Sequence, residues 1–332
     1  MSAGRPDALL APADVRALAH ALDLRPTKRR GQNFLVDPNT VRRLVRLAGI
    51  GPDDTVLEIG PGLGSLTLGL LSAAGTNAAG AGAAGAGAAG EGAAGSGVAG
   101  AVVAVEVDPP LAAALPATAA ARLSPPAASR LHVVLADGLT VAPGDLPAEV
   151  AAPGVLAANL PYNVAVPLLL GILERFPSLR RGLVMVQAEV ADRLTASPGG
   201  RVYGAPSVKL AWYVRARPAG GVPRPVFWPQ PNVDSALVAF TRRKAPPGPE
   251  RLRPAVFAAV DAAFAQRRKT LRTALAPWAG SPAAVAELAE RADVDPGARG
   301  ETLAVEDYCR LAMAREAAGR HPTSDHATSE GC

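Results

Sequence analysis

Short runs of β-branched and other apolar residues alternate with helical stretches along most of the chain. Seven runs predict strands, at residues 55–60, 102–108, 131–137, 155–160, 182–187, 207–216 and 235–243. Helices are predicted between them, for example over 65–73 and 166–175. Nearly continuous apolar strands separated by helices are typical of a parallel sheet covered on both faces. The pattern predicts a doubly wound α/β domain with a mostly parallel, seven-stranded sheet.

An alanine- and glycine-rich segment over residues 77–101 interrupts this alternation. Its side chains cannot offset the entropy of ordering the backbone, so we expect a flexible, low-complexity insertion. Residues 244–254 are typical of a linker, and from about residue 255 the periodicity is helical. We therefore predict four segments, namely an N-terminal extension (1–24), the sheet domain (25–246), a small all-α C-terminal domain (247–319) and a disordered tail (320–332).

The composition describes a chain that can bury a sizeable core. Of its 332 residues 49% are hydrophobic and 19% charged, which excludes a chain that is disordered throughout and a coiled coil. Lys and Arg outnumber Asp and Glu by 34 to 29, and the net charge of +5 favours an anionic partner. Cys309 and Cys332 are too few for a disulfide framework and lack zinc-ligand spacing, so we expect no metal. With no predicted membrane span or signal peptide, we expect a cytoplasmic protein without a membrane partner. We also expect a monomer.

A glycine-rich turn follows the first predicted strand. Gly60, Gly62 and Gly64 supply backbone without Cβ, across which a cofactor can lie at the carboxyl end of the strand. Nucleoside cofactors also require an acid about 20 positions further on, which accepts the ribose hydroxyls. Glu106 lies 46 positions after Gly60, or 21 when the 25 residues of the insertion are left out. This spacing favours a cofactor site over a turn that serves packing alone.

The form of the turn distinguishes between two cofactors. It contains G-P-G-L-G instead of G-x-G-x-x-G, and Pro61 lacks an N–H that a pyrophosphate would use. A sulfonium cofactor carries no phosphate, so S-adenosylmethionine is favoured over NAD. Asp137 and Asn159 end two further strands, where ligands bind in open sheets, although Asp137-Gly138 is also typical of a turn or helix cap.

The tetrapeptide Asn159-Leu160-Pro161-Tyr162 indicates a reaction. The exocyclic amine of a base is a poor nucleophile because its lone pair is delocalised into the ring. An Asn side-chain carbonyl and a backbone carbonyl fixed by a proline can accept its N–H groups, and Tyr162 offers a face on which an extruded base can stack. We therefore predict that these four residues are catalytic. The alternative is a strand end with a proline turn and a core tyrosine.

These motifs resemble those of the 16S ribosomal RNA adenine N6,N6-dimethyltransferases of the small ribosomal subunit, over about residues 12–318 outside the insertion. Residues 31–35, 227–238 and 263–271 are similar to further signatures of that family. The last two of these separate the chain from most of the related large-subunit methylases that confer macrolide resistance. The resemblance implies a Rossmann-like, class I methyltransferase that uses S-adenosylmethionine. It also implies dimethylation of two adjacent adenosines in small-subunit ribosomal RNA or the assembling 30S subunit. The cofactor-binding residues that it implies are Asn33, Leu35, Gly60, Glu106, Asp137 and Asn159.

Basic residues are concentrated between 242 and 273, with nine Lys or Arg against two acids. A predicted helix over 255–275 would place Arg268 and Arg272 on one exposed side. A solvated charged face is the usual explanation, but beside a base-flipping motif we interpret the run as a surface that contacts phosphates. The predicted RNA-binding residues are Arg267, Arg268, Lys269 and Arg272.

Three other functions stay open at this point. The first is a large-subunit adenine methylase on the same scaffold, and mapping the methylated nucleotide would distinguish it from a small-subunit enzyme. A non-catalytic assembly or nucleic-acid-binding factor is disfavoured by the intact tetrapeptide. A nicotinamide dehydrogenase is disfavoured because the glycine turn reads G-P-G-L-G and because no His or Lys is a convincing general acid-base catalyst.

Overall fold

The computed structural model describes residues 8–24, 33–74 and 100–319. The chain divides into two compact units, the first comprising Met1–Asp192 and Arg215–Arg242 and the second Arg193–Val214 and Arg243–Cys332. The predicted Ala/Gly insertion, except Gly100 and Ala101, and the predicted tail lie outside the described residues. None of the helices within the described ranges is long and apolar enough to cross a membrane.

A seven-stranded sheet forms the centre of the first unit. The described strands are β1 (Phe34–Leu35), β2 (Val56–Ile59), β3 (Val102–Glu106), β4 (Leu131–Leu135), β5 (Val155–Asn159), β6 (Arg181–Gln187), β7 (Val214–Val222), β8 (Phe227–Trp228) and β9 (Ser235–Arg242). The sheet has the order β4-β3-β2-β5-β6-β9-β7, in which β2 to β6 are parallel and β9 is antiparallel to β6. The separate pair β1 and β8 is antiparallel. The mostly parallel, seven-stranded α/β fold is confirmed.

Helices accompany this sheet. They are α1 (Pro12–Ala21), α2 (Pro38–Ala48), α3 (Ser65–Ala73), α4 (Pro109–Arg122), α5 (Pro125–Ala128), α6 (Ala165–Arg175) and α7 (Ala188–Leu194). All residues of β2 and β3 are buried, as expected for central strands covered on both faces. Val15 and Ala19 of α1 belong to the same apolar core, so part of the predicted N-terminal extension packs on the first unit.

The second unit is helical. Its helices are α8 (Ala205–Tyr213), α9 (Arg253–Ala265), α10 (Leu271–Ala274), α11 (Ala276–Ala279), α12 (Pro282–Arg291) and α13 (Val305–Gly319). The prediction of a strand over 207–216 is wrong for most of its length, because α8 occupies it and β7 begins only at Val214. Trp212 and Tyr213 both pack edge-on against Phe257 of α9, a tertiary contact that outweighs the strand preference of aromatic and β-branched residues.

The helix predicted over 255–275 is also shorter than expected. Helix α9 ends at Ala265, and residues 266–270 form a turn. Beyond it the backbone N–H groups of Leu271 and Arg272 donate to the carbonyls of Ala298 and Pro296. These bonds draw the chain away from the helix axis, so Arg267, Arg268 and Lys269 lie in the turn and Arg272 in α10. The predicted pairing of Arg268 and Arg272 on one helix face is therefore wrong.

Ala74, the last described residue before the Ala/Gly insertion, lies beside Gly100, near the end of the insertion. A Cβ atom added to Gly100 would lie 3.4 Å from the carbonyl oxygen of Ala74. Ala101 accepts a hydrogen bond from the N–H of Val56, which places this end at the start of β2. Ligands bind at the opposite, carboxyl ends of strands in doubly wound sheets. Ala74 and Gly100 therefore lie together, away from the expected ligand crevice.

We predict that residues 75–99 are dispensable. Replacing them with two turn-forming residues would make Ala74 and Gly100 the ends of a β-turn. Loop closure costs roughly 0.6 kcal/mol per doubling of length, so the shortened protein should be more stable by up to about 2 kcal/mol. Thermal unfolding and methyl-transfer assays of the two proteins test this. A shortened protein that folds and binds S-adenosylmethionine but fails to methylate ribosomal subunits would show that the segment has a docking role.

Candidate cofactor-binding and catalytic site

One cavity of about 380 Å³ lies within the first unit, at the carboxyl ends of β2, β3 and β5. The structure brings all nine predicted cofactor-binding and catalytic residues to its wall, namely Asn33, Leu35, Gly60, Glu106, Asp137, Asn159, Leu160, Pro161 and Tyr162. The predicted RNA-binding residues belong to the second unit and do not line it. The described wall contains no Lys, Arg or His, so it offers no cationic side chain to a phosphate.

The turn after β2 requires glycine because of its backbone angles and its close packing. Gly60 and Gly62 have φ angles of +71° and +56°, in the left-handed region that favours glycine. A Cβ on Gly62 would lie 2.9 Å from Cε1 of Phe34. The turn therefore stays close against the N-terminal strand β1, and its backbone forms one side of the cavity.

Glu106, at the end of β3, is held by the backbone. Its Oε1 accepts hydrogen bonds from the N–H groups of Val107 (2.9 Å) and Asp108 (3.0 Å), and its Oε2 accepts one from Gly62 (3.0 Å). Burial raises the pKa of this carboxyl, and the three backbone bonds oppose that rise. A carboxylate has about four acceptor positions, so one is left on Oε2 for a ligand hydroxyl.

Glu58 is another acid in the cavity wall, and the sequence motifs assigned it no role. It is 1% exposed within β2, and its Oε2 has no hydrogen-bond partner among the described residues. Burial raises its pKa to about 8, the nearby Thr67 side chain opposes this rise, and the charge of Glu106 adds to it. A single acid inside the otherwise apolar strand Val56–Ile59 was the signal that could have revealed it.

The loop after β4 carries Asp137. Its Oδ1 accepts the N–H of Leu139 at 2.9 Å, so the predicted turn exists and also borders the cavity. Arg175 of α6 donates to the carbonyls of Gly138 (3.0 Å) and Val141 (2.7 Å) and thereby holds the loop. The exposed apolar side chains of Val107 and Leu139, which no sequence motif indicated, line the cavity near Asp137 and suit a flat apolar ring.

Asn159 ends β5 with its side-chain amide oriented by a neighbour. Its Nδ2 donates to the backbone carbonyl of Asn33 at 3.0 Å. The N–H of Leu160 donates to Met185 of β6 at 3.0 Å, which fixes the backbone of the loop. Because Nδ2 is committed to Asn33, Oδ1 is the atom left to accept a substrate N–H group.

Tyr162 lines the cavity and is anchored at its far end. It is half-buried, and its hydroxyl forms a hydrogen bond of 2.6 Å with Oγ of Ser235. Burial raises the pKa of the phenol, against the opposing effect of this bond, so the side chain is neutral at physiological pH. A neutral ring whose face borders a cavity is suited to stacking with a base.

Comparison with known proteins decides the family. The sequence model of the family described as ribosomal RNA adenine dimethylase matches residues 25–77 and 85–315. The chain belongs to this family. The "Ribosomal RNA small subunit methyltransferase A" of Kineococcus radiotolerans is 57% identical over 94% of the chain and 93% of the relative. The protein of the same name from Streptomyces avermitilis is 55% identical over 96% and 97%.

Two solved structures share the fold. A dimethyladenosine transferase from Plasmodium falciparum superposes with a TM-score of 0.65 at 19% identity, over 86% of the chain and 98% of the neighbour. The 23S rRNA methyltransferase ErmE superposes with a TM-score of 0.58 at 24% identity, over 86% and 100%. The class I, Rossmann-like methyltransferase fold is thus confirmed.

The cavity fits the cofactor of this dimethylase family, S-adenosylmethionine. The wall contains three buried acids, Glu58, Glu106 and Asp108. The unpartnered oxygen of Glu58 and the spare acceptor position of Glu106 suit a ligand that carries an ammonium group and ribose hydroxyls. The absence of cationic side chains from the described wall suits a ligand without phosphate. The prediction of S-adenosylmethionine over NAD is confirmed.

The basic turn of the second unit separates into two kinds of residue. Arg267 is tied into the unit, because its guanidinium pairs with Glu301 at 2.6 Å and donates to the carbonyl of Arg201 at 2.7 Å. Arg268, Lys269 and Arg272 are exposed and form no side-chain hydrogen bond or ion pair within the part of the chain that is described. These three residues are therefore available for an anionic partner.

Proposed function

We propose that this protein transfers methyl groups from S-adenosylmethionine to the N6 amines of two adjacent adenosines in small-subunit (16S) ribosomal RNA. The observation that carries the proposal is the Asn159 amide, whose bond to Asn33 leaves Oδ1 as an acceptor at the cavity. The names of the relatives from Kineococcus and Streptomyces support the small subunit as the substrate. The reaction then belongs to small-subunit biogenesis.

The catalytic loop acts on the target amine. Oδ1 of Asn159 and the carbonyl of Leu160, which precedes Pro161, accept the two N6 hydrogens and draw the nitrogen lone pair out of conjugation. Tyr162 stacks on the flipped base and positions N6. When bound, S-adenosylmethionine supplies a methyl group on a sulfonium that is already a good leaving group. N6 would gain the methyl carbon as the carbon–sulfur bond breaks, and the N6 proton would pass to water.

The cofactor is held by the other residues of the cavity wall. We assign Glu106 to the ribose hydroxyls, Asp137 to the adenine, and Asn33, Leu35 and Gly60 to the methionine side. We also propose that the protein acts as a monomer. A ribosomal RNA substrate supports a cytoplasmic location.

Methylation mapping tests the proposed function. Small-subunit and large-subunit RNA from cells lacking the protein should be compared by primer extension or mass spectrometry with RNA from complemented cells. We expect two adjacent dimethyladenosines in small-subunit RNA to disappear and to return on complementation. Loss of a large-subunit modification would instead favour the large-subunit methylase, and no change in either RNA would favour a non-catalytic assembly factor.

We assign Arg268, Lys269 and Arg272 to RNA phosphates. Changing all three to Gln should weaken RNA binding and reduce the slope of log affinity against log salt by about 0.7–0.9 for each phosphate that the variant no longer neutralises. Affinity for S-adenosylmethionine should stay the same. The matched control is Arg291→Gln, an exposed arginine at the end of α12. If the slope of log affinity against log salt were unchanged in the triple variant, these residues would be only a solvated charged surface.

Arg267 is expected to differ from its neighbours. Its pairing with Glu301 and its bond to Arg201 give it a structural role, so its replacement should lower the stability of the second unit. We still propose that it borders the RNA surface, since it lies in the same turn.

A further inference from the structure

We infer that Ser235 is a positioning residue whose hydroxyl fixes the ring of Tyr162 in the orientation that receives the target adenine. The inference rests on the proposed function. Its basis is the 2.6 Å hydrogen bond between the Ser235 Oγ and the Tyr162 hydroxyl, which joins residues 73 positions apart in the sequence. Each hydroxyl is the other's sole side-chain hydrogen-bond partner among the residues that the structure describes.

The sheet fixes the position of Ser235. The residue begins β9, is 1% exposed and lies opposite Gln187 of the antiparallel strand β6. Immediately before it, the carbonyl of Asp234 accepts the N–H of Ala188 at 3.0 Å. Backbone bonds on both sides thus hold the hydroxyl in place, and it can serve as a rigid anchor.

Tyr162 needs such an anchor. The residue lies in the loop between β5 and α6, and its ring borders the cavity, so packing constrains it less than a core side chain. The phenolic oxygen lies on the long axis of the ring, so a bond to this atom fixes the direction of that axis and prevents the ring from tilting into the cavity. A tilted ring would still allow the cofactor to bind but would move the stacked base away from it.

The bond therefore serves the methyl-transfer step more than cofactor binding. Misplacement of reacting atoms by a fraction of an ångström to an ångström lowers a rate without a matching loss of ligand affinity. Loss of one neutral hydrogen bond corresponds to about a tenfold change. We expect Ser235→Ala to lower kcat about tenfold and to leave the KM for S-adenosylmethionine unchanged.

A double-mutant cycle tests the inference. Ser235→Ala, Tyr162→Phe and the double variant should each show a kcat about tenfold below that of the wild type, because all three remove the same bond. A full kcat in Ser235→Ala, or a double variant with the product of two independent losses, about a hundredfold, would overturn the inference. A parallel increase in the cofactor KM would also overturn it, since it would indicate general damage to the site.

Two controls separate this result from other causes. Ser207→Ala removes another buried serine hydroxyl, one that donates to the carbonyl of Arg193 in the second unit, and should retain the wild-type kcat. The wild-type protein gives the baseline on small-subunit RNA. If it methylates a different RNA, the proposed function fails, whereas the same cycle measured on that RNA still tests the role of Ser235.

Discussion

Replacing Asn159 with alanine is expected to lower the rate of methyl transfer by about 10²–10³-fold, as for the loss of one preorganised polar group at a reacting centre. The substitution removes Oδ1, the acceptor that the bond from Nδ2 to Asn33 leaves for the adenine N6 hydrogens. Affinity for S-adenosylmethionine should fall much less, because Glu58, Glu106 and Asp137 stay in the cavity wall.

Single-turnover kinetics and calorimetric titration with S-adenosylmethionine separate these two effects. Asn39→Ala is the control, since Asn39 of α2 also has a side-chain hydrogen bond, with Arg42, but does not line the cavity. A near-normal turnover in Asn159→Ala would remove the residue from the catalytic role. A large loss of cofactor affinity with a normal rate under saturation would make it a cofactor ligand alone.

The site could be predicted from the sequence because its parts follow from the order of strands. Gly60, Glu106, Asp137 and Asn159 each follow or end a strand, and parallel strands bring their carboxyl ends to one edge of a sheet. The spacing from Gly60 to Glu106 could be interpreted only after the insertion was removed. The structure supports this step, since a Cβ atom added to Gly100 would lie 3.4 Å from the carbonyl oxygen of Ala74, so these two residues lie side by side.

Ser235 could not have been found in this way. Its link to Tyr162 depends on a contact across 73 positions, between a loop and a strand that joins the sheet last in sequence. No local pattern encodes that contact. The alternative interpretation of Tyr162 as a core tyrosine was correct in part. Its hydroxyl is hydrogen-bonded to Ser235, as in a core residue, but its ring borders the cavity.

Local periodicity is misleading in the second unit. Val208, Leu210 and Trp212 alternate with other residues as in a strand, yet Val208 and Trp212 are also spaced for one helix face, and packing against α9 selects the helix. The apolar positions Leu271 and Leu275 continue the spacing of α9, and both are buried. The bonds to residues 296 and 298 nevertheless end the helix before them, because long-range pairing outweighs helical propensity there.

Glu58→Gln is expected to change how stability depends on pH. The pKa of Glu58 is about 8 in the folded protein, against an ordinary value of 4.5, because burial disfavours the charged form. Between these values the folded state holds a proton that the unfolded state has released. The free energy of unfolding of the cofactor-free protein should therefore fall as the pH rises from 5 to 8, by about 1 kcal/mol per pH unit from this group, and level off above pH 8.

Glutamine does not titrate, so Glu58→Gln should lack this slope and gain stability relative to the wild type as the pH rises, by roughly 3 kcal/mol between pH 5 and pH 8. Urea denaturation of both proteins across that range measures the difference. Glu287→Gln is the control, since Glu287 is exposed on α12 and its replacement should leave the wild-type slope unchanged. Glu106 is present in both proteins, so its titration contributes to both stability curves and cannot produce the whole difference between them. Parallel stability curves for the wild type and Glu58→Gln would mean that Glu58 is charged in the folded protein, with its unpartnered oxygen solvated through the cavity.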